Sequence, residues 1–573
     1  MKKFTAYLKG WRGVSLIIYM WLILMAWAVV YVDVMSVEMR KRFYIVSVAE
    51  TILLALIYIC PRLLRFAEKI NIAHEENESS RSSIFLRTWL ITLGVFLLMY
   101  LIFYPGGFSD DNINQYAQAM GYKNYNDWHP VIHTLLMFTL PLKITGGWTG
   151  SINLFQLIMF SLGLAYMACV MREYANRKYS KFFIWYIMLN PATLSLAITP
   201  QKDTMFAITC MLLLCFGTRI YFTHGKWIQN AFHTAVFIIT LTLCTLFRHN
   251  AVLFTLPLLF AVSLCMNKRR ALMILLCFAC LVWAVKYPLY QSLNVERPGR
   301  RQVEMLGLPM SVIGNAVKET PERIDSDIKE FAYSVAPKII WDEIFNIFIG
   351  FNSVEYSSGR IPESEQEKFQ NIAGVNLDVI ESMGWRKVIN MAVRCFRVSA
   401  WHSLRAVLAP TGIVYGIAGP PVGRIIPVVK PNPYGLANNN FFRLDALANL
   451  IRKILPFNDN ITGNYYMNDG GGFSLQSLFI LGEYAVMVLF RHVFWCIGVI
   501  NLAMIIFVLA KLDFSKLNDW KKLCFTLPLF CYNFGTMLLI KGNDFRIFYY
   551  SYLVMPLMLM IIFSSNSTKE KAS

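Results

Sequence analysis

The sequence predicts an all-α polytopic membrane protein. Hydrophobic residues make up 56% of the 573 positions and charged residues 16%, with a mean hydropathy of +0.47. Soluble domains sit nearer about 45–50% apolar and about 25% charged. The apolar excess is gathered into runs long enough to cross a bilayer, and the basic residues between runs fall mostly on one side.

The elements follow in chain order. The first run, 14–32, comes after Lys2, Lys3, Lys9 and Arg12. At about 19 residues it is too long for a signal-peptide core, and no small-residue cleavage site follows, so it reads as a retained span. Further runs lie at 43–60, 84–104, 151–171, 182–198, 204–221, 230–247, 250–266 and 271–290, then at 491–511, 523–540 and 547–563. Each is close to the 17–25 residues a bilayer requires, giving about twelve spans.

With the N-terminus inside, the groups Arg62/Arg65/Lys69/Arg81, Arg172/Arg177/Lys178/Lys181, Lys268/Arg269/Arg270 and Lys511/Lys516/Lys521/Lys522 all fall inside. This is the positive-inside pattern, and it places both termini in the cytoplasm. Arg40, Lys41 and Arg42 dissent. The pattern requires that the short apolar stretch 131–142, which ends at Pro141, be a juxtamembrane helix that does not cross. If it crossed, Arg172–Lys181 would move outside.

The chain then divides into an N-terminal three spans (1–104), a first outer loop (105–150), a six-span core (151–290), a mid-chain extracytoplasmic domain (291–473) and a C-terminal part (474–573) with a juxtamembrane helix and the last three spans. The extracytoplasmic domain predicts amphipathic helices at 322–350 and 385–408 and ends in Pro-, Gly- and Asn-rich sequence.

The net charge of +19 would raise nucleic acid as a partner for a soluble protein. Here the cytoplasmic loops account for it, and no nucleic-acid motif accompanies it. Of 12 cysteines, only Cys395 lies in the long polar region, which excludes a disulfide framework there.

Residues able to carry chemistry cluster in the outer turns. The first outer loop opens Pro105-Gly106-Gly107-Phe108-Ser109-Asp110-Asp111. Pro-Gly-Gly ends a helix, and Ser109 or Asp110 can cap the next one, but two adjacent acids at a membrane boundary exceed what capping needs. Asn126-Asp127-Trp128-His129-Pro130 follows, with His133 one helical turn beyond His129, a spacing that can bind metal. Later outer turns carry Lys202-Asp203, Arg248-His249-Asn250 and Asp544-Phe545-Arg546. Carboxylates at such a face suit general-base work or metal binding, so a divalent metal stays open as a cofactor. Arginine and lysine suit a phosphate or diphosphate leaving group.

This arrangement resembles the GT-C superfamily of membrane glycosyltransferases, which includes protein mannosyltransferases, aminoarabinose transferases and a group of bacterial proteins with a similar P-G-G-F-S-D-D…Q…W-H-P stretch. The likeness covers roughly residues 84–290. It implies a GT-C-like bundle, a polyprenyl-phosphate sugar donor, an acceptor on the outer face of the bacterial plasma membrane, and inverting transfer. Ser109-Asp110-Asp111 resembles the acidic motif that holds the catalytic base, Trp128-His129-Pro130 the start of the juxtamembrane helix, and Lys202-Asp203 the later acidic turn. Arg248 and Arg546 are assigned to the carrier phosphate by charge and side alone. Three spans precede the acidic loop where the better-known members have one, and the outer domain lies mid-chain. A lipid-linked glycan flippase and an outer-face glycan polymerase or ligase are the alternatives. The latter would put its weight on Arg394, Arg397 and His402.

Overall fold

The computed structural model describes residues 80–296, 303, 305–347, 349–355, 375–416, 426–439, 474–539 and 544–564. The expected spans at 14–32 and 43–60 lie outside the described residues. Among the described residues the fold is helical, with isolated bridges and no strand.

The first described helix, α1 (Arg81–Ile102), is capped by Ser80, whose Oγ accepts from Ser83 N at 3.2 Å. Its face toward α4 is buried, while Leu86, Leu90, Leu98 and Leu101 are exposed. A row of bare leucines suits acyl chains rather than water. The short α2 (Asp110–Ala119) and the apolar α3 (Val131–Ile144) follow. At 1.5 Å per residue α3 spans about 21 Å, less than a hydrocarbon core, which agrees with a helix that does not cross.

After α4 (Gly150–Tyr174), the run expected as one span at 182–198 is two helices, α5 (Arg177–Leu189) and α6 (Pro191–Ala197). Pro191 lacks an N–H and cannot continue α5. Asn190 turns extended there and caps α6, accepting from Ala192 N at 2.9 Å. Next come α7 (Lys202–Phe222), α8 (Ala231–Phe247), the Pro257-containing α9 (Val252–Ser263) and α10 (Lys268–Ser292).

The mid-chain part contains α11 (Gly307–Glu319), α12 (Ser326–Val335), α13 (Trp385–Val398) and α14 (Ala400–Thr411). These share a hydrophobic core separate from that of the bundle, with Ile313, Trp341, Val388 and Ala406 inside it. The two long amphipathic helices expected here are both interrupted. One stops at Ala336 before Pro337, and the other breaks at Ser399. Trp341 anchors the first break by donating Nε1–H to the carbonyls of Ala332 (2.9 Å) and Ala336 (3.0 Å).

The chain closes with α15 (Leu475–Phe494), α16 (Ile497–Lys511), α17 (Leu517–Cys524), α18 (Leu527–Met537) and α19 (Phe545–Phe563). Among the described residues, α1, α4, α7, α10 and α19 are long and apolar enough to cross a membrane. The other expected spans within the described residues fall largely on shorter helices.

Helices α7 and α19 pack centrally and are mostly buried, whereas α10 is largely exposed. Helices gain little from hydrophobic burial in lipid, so polar contacts and close packing hold them. Asn533 shows this, donating to Asn501 Oδ1 (2.9 Å) and accepting from Tyr550 Oη (2.9 Å), all three buried. The chain returns repeatedly between two ends of the bundle. At one end Glu173 pairs with Arg81 (3.2 Å) and Arg219 (2.9 Å). At the other, Tyr100 at the end of α1 donates to Gly150 O at the start of α4 (2.9 Å).

Candidate active site

The acidic loop is clamped to the turn before α7. Gly106 takes a positive φ of 100°, and a Cβ there would lie 2.3 Å from Asn153 Nδ2. That nitrogen instead donates to Pro105 O at 2.7 Å. Gly107 N donates to Ile198 O (2.9 Å), and a Cβ on Gly107 would strike Thr199 Oγ1. Ser109 is the N-cap of α2, with Asn112 folded back onto its backbone N–H (3.1 Å). Asn112 Nδ2 then reaches Pro200 O at 2.8 Å. The carbonyls at the end of α6 and in the turn that follows are met by Gln156 Nε2, which donates to Leu196, Ala197 and Thr199. These contacts bring the first turn of α2 beside the first turn of α7.

The charges converge there. Arg546 is the hub, with Asp544 at 2.7 Å, Asp111 at 3.3 Å and Asp203 at 3.5 Å. Arg248 pairs with the other oxygen of Asp203. Asp203 is 2% exposed and Asp111 33%, so the cluster runs from a sealed floor to an open edge. Lys202 Nζ donates to His129 Nδ1 at 3.3 Å. Burial and the neighbouring Lys202 ammonium push His129 down to about 3, so it is neutral. Burial alone would raise the Asp111 carboxyl, but Arg546 and Lys202 outweigh it and hold Asp111 well below the usual carboxylate range.

Other candidates lie around this cluster. Asp110 turns outward and pairs with Lys430, its side chain 74% exposed. Asn250 accepts from Arg248 Nε (3.1 Å) and donates to Thr536 Oγ1 (2.8 Å), tying the tight α8–α9 turn to α18. Asp127 is buried, takes Tyr290 Oη–H at 2.9 Å and Lys286 Nζ at 3.3 Å, and offers its carbonyl to His249 Nε2 at 3.0 Å. These four residues line one end of a cavity of about 990 Å³, whose walls include Phe278, Val282, Trp283 and Tyr287. Such a cavity is amphiphilic, polar where it meets Asp127 and aromatic along α10.

The two histidines of the i, i+4 pair face different partners. His133 is fully buried and hydrogen-bonds Gln115 Oε1 at 3.1 Å, while His129 faces Lys202. Among the described residues no three His, Cys, Asp or Glu side chains are grouped to hold an ion. The carboxylates at the cluster are taken up by guanidinium groups, so the donor set does not fit a divalent metal without displacing an arginine. Arg394 is committed elsewhere, with Nε on Asp325 (2.9 Å) and Nη1 on Asp327 (2.7 Å).

Three participants were not anticipated. Lys286 and Tyr290 sit inside an apolar run, where an intramembrane cation was itself the signal. Lys430 belongs to the extended segment 426–439, which covers the acidic loop. Phe108 N donates to Val428 O (3.2 Å), Lys430 N to Phe108 O (3.0 Å), and Asn438 Nδ2 to Phe103 O (2.7 Å). No family model, curated protein or solved structure matches the chain.

Proposed function

We propose that the protein is a membrane glycosyltransferase of GT-C type, moving a sugar from a polyprenyl-phosphate carrier to an acceptor on the outer face of the bacterial plasma membrane. The observation that carries this reading is the convergence of four separate polar turns on one cluster next to an amphiphilic cavity. A bundle of about twelve spans with both termini inside puts that cluster on the outer side.

Asp111 is the general base in this reading. The acceptor O–H gives its proton to the carboxylate, and the acceptor oxygen attacks the anomeric carbon. The bond from that carbon to the phosphate oxygen breaks with inversion, its electrons staying on the phosphate. Lys202, Arg248 and Arg546 stabilise the departing charge. Alone, Asp111 is a weak base because Arg546 holds it ionised. An arriving phosphate competes for the same guanidinium, loosening its grip and raising the basicity of Asp111 when the donor is in place. The apolar wall at Trp283 and Tyr287 takes the prenyl chain.

The test is transfer of labelled sugar from polyprenyl-phosphate donors. Asp111→Asn abolishes transfer, whereas Asp110→Asn, at an exposed pair, reduces it modestly. Full activity in the Asp111 variant removes the base assignment. Trp283→Ala raises KM for a long-chain donor by about tenfold, the loss of part of the apolar contact that this exposed side chain would make with the prenyl chain, and leaves a short-chain analogue unaffected. Equal effects on both donors would mean that the tail does not lie on that wall.

A further inference from the structure

The opposite end of α7 carries a second cavity of about 330 Å³. The 21 residues of α7 put it about 30 Å from the Asp203 cluster. Its polar lining comes from Tyr221, His224, Gln229, Asn267, Arg270, Asn518 and Lys521, with no carboxylate among the described residues that line it. Three separate parts of the chain build it: the turn after α7, the start of α10, and α17.

The turn after α7 is held rigidly. Gly225 has a φ of 82°, and a Cβ there would lie 2.1 Å from Cys265 O. Thr223 Oγ1 donates to Arg219 O (2.7 Å) and accepts from Trp227 N (3.1 Å). Trp227 stacks on His233 at 4.3 Å. Asn267 caps α10, accepting from Arg270 N at 2.8 Å, which fixes the base of the Arg270 side chain. The cavity is therefore preformed.

Helix α17 shows what surrounds it. Asp519 and Lys522 are buried and paired at 3.6 Å, while Leu517 is 77% and Trp520 39% exposed. A short helix with charges inside and large apolar groups outside suits an acyl-chain and headgroup boundary, not water. Nearby Leu264 is exposed too.

We propose that this cavity is a binding site for the phosphodiester headgroup of an anionic phospholipid. Arg270 and Lys521 contact the phosphate, the amides of Gln229, Asn267 and Asn518 contact the glycerol end, and the acyl chains lie along Leu517, Trp520 and Leu264. A cation-lined cavity between helices on the basic side of the bundle is the chemistry that recognises such headgroups. The site rests on the membrane reading and is independent of the transferase reading.

The full-length protein, purified in detergent, is titrated with vesicles of phosphatidylglycerol mixed with phosphatidylcholine, with phosphatidylcholine alone, and with inorganic phosphate or glycerol phosphate. Retained lipid is read by native mass spectrometry and stability by thermal unfolding. Phosphatidylglycerol is retained preferentially and raises the unfolding midpoint. In Arg270→Gln/Lys521→Gln its retention falls about tenfold, the loss of charge-assisted contacts. In Lys268→Gln/Arg269→Gln, exposed neighbours outside the cavity, it is unchanged. Equal retention of both lipids by the wild type overturns the proposal, as does an equal loss in the two double variants. Protection by inorganic phosphate matching that by phosphatidylglycerol overturns the lipid assignment in favour of a free-anion site. Should the Gln pair not fold, Arg270→Lys/Lys521→Arg keeps the charge and must keep the lipid preference. Sugar transfer is not needed for any readout.

Discussion

Two arginines in this protein sit between acids, and they do so in opposite surroundings. Arg394 bridges Asp325 and Asp327 on the mid-chain unit, where both acids are about half exposed. Arg546 bridges Asp111, Asp203 and Asp544 among packed helices, with Asp203 nearly sealed from solvent. Water and salt screen the first arrangement and leave it energetically minor. The second removes several charges from water, a cost that mutual attraction offsets only when every partner is present. A fold seeking only stability would have packed apolar side chains at the ends of α2, α7 and α19. Keeping the ions there points to chemistry, and the two sites should respond to mutation in opposite ways.

The largest effect is expected in transfer, not in folding. Asp111→Asn keeps shape and hydrogen-bonding capacity but loses the proton acceptor, and the rate should fall about 10²–10⁴-fold, the contribution of a positioned base. Thermal unfolding should change less than at Asp203, because Asp111 lies at the open edge of the cluster and Arg546 keeps Asp203 and Asp544 when Asp111 is neutralised. A matching collapse of stability would make Asp111 structural and erase the contrast with Asp203.

At Asp203 the order reverses. Asp203→Asn leaves Arg248 buried without its carboxylate and should destabilise by about 3–5 kcal/mol in reversible unfolding or an equivalent expression assay. Arg248→Met alone should be harmful but less so, because Asp203 keeps Arg546 at 3.5 Å. The double variant Asp203→Leu/Arg248→Met should recover most of the loss, since a neutral, well-packed pair carries no uncompensated charge. Additive losses would show that the two residues do not form the buried pair that the geometry describes.

How far the sequence led depends on where each residue sits. Asp111, Lys202, Asp203, Arg248, Asp544 and Arg546 lie within a turn of a helix end, so the alternation of spans assigns them to one face before any packing is known. Their meeting at a single hub was not legible, because it depends on Asn112, Asn153 and Gln156 satisfying the carbonyls of a distant turn. The break at Asn190-Pro191 was written in the sequence yet masked by a continuous apolar run. The separation of Asp110 from Asp111 follows from helix geometry, which turns adjacent side chains about 100° apart. Lys430 could not be foreseen, as the segment 426–439 has no periodicity and gains its place only by pairing with the acidic loop. Lys286 was foreseeable, because a lone cation inside an apolar helix needs a partner.

A smaller effect should appear with pH. The folded state holds His129 down to about 3 against 6.5 for a free side chain, through burial and Lys202. The unfolded chain therefore binds a proton below pH 6.5 that the folded chain refuses, and stability falls as pH drops from 6.5 toward 3. His129→Gln should reduce that decline in the thermal midpoint, the equally depressed and fully buried His133 supplying the remainder, while leaving the midpoint at pH 8 nearly unchanged. An unaltered slope would mean that His129 is solvated and charged in the fold, and that Lys202 is not its neighbour.

The least effect belongs to the exposed clamp. Arg394→Gln removes every ion pair to Asp325 and Asp327, yet both acids stay in water and need no replacement partner. The thermal midpoint should stay within error of the wild type at moderate salt, and any difference at low ionic strength should vanish as salt is added. Transfer should also be unaffected, which separates the proposed site from one centred on the mid-chain unit. If Arg394→Gln instead stops transfer while the protein stays folded, the polymerase or ligase reading gains the argument that the buried cluster now holds. The ions at Arg546 would then need an explanation in stability after all.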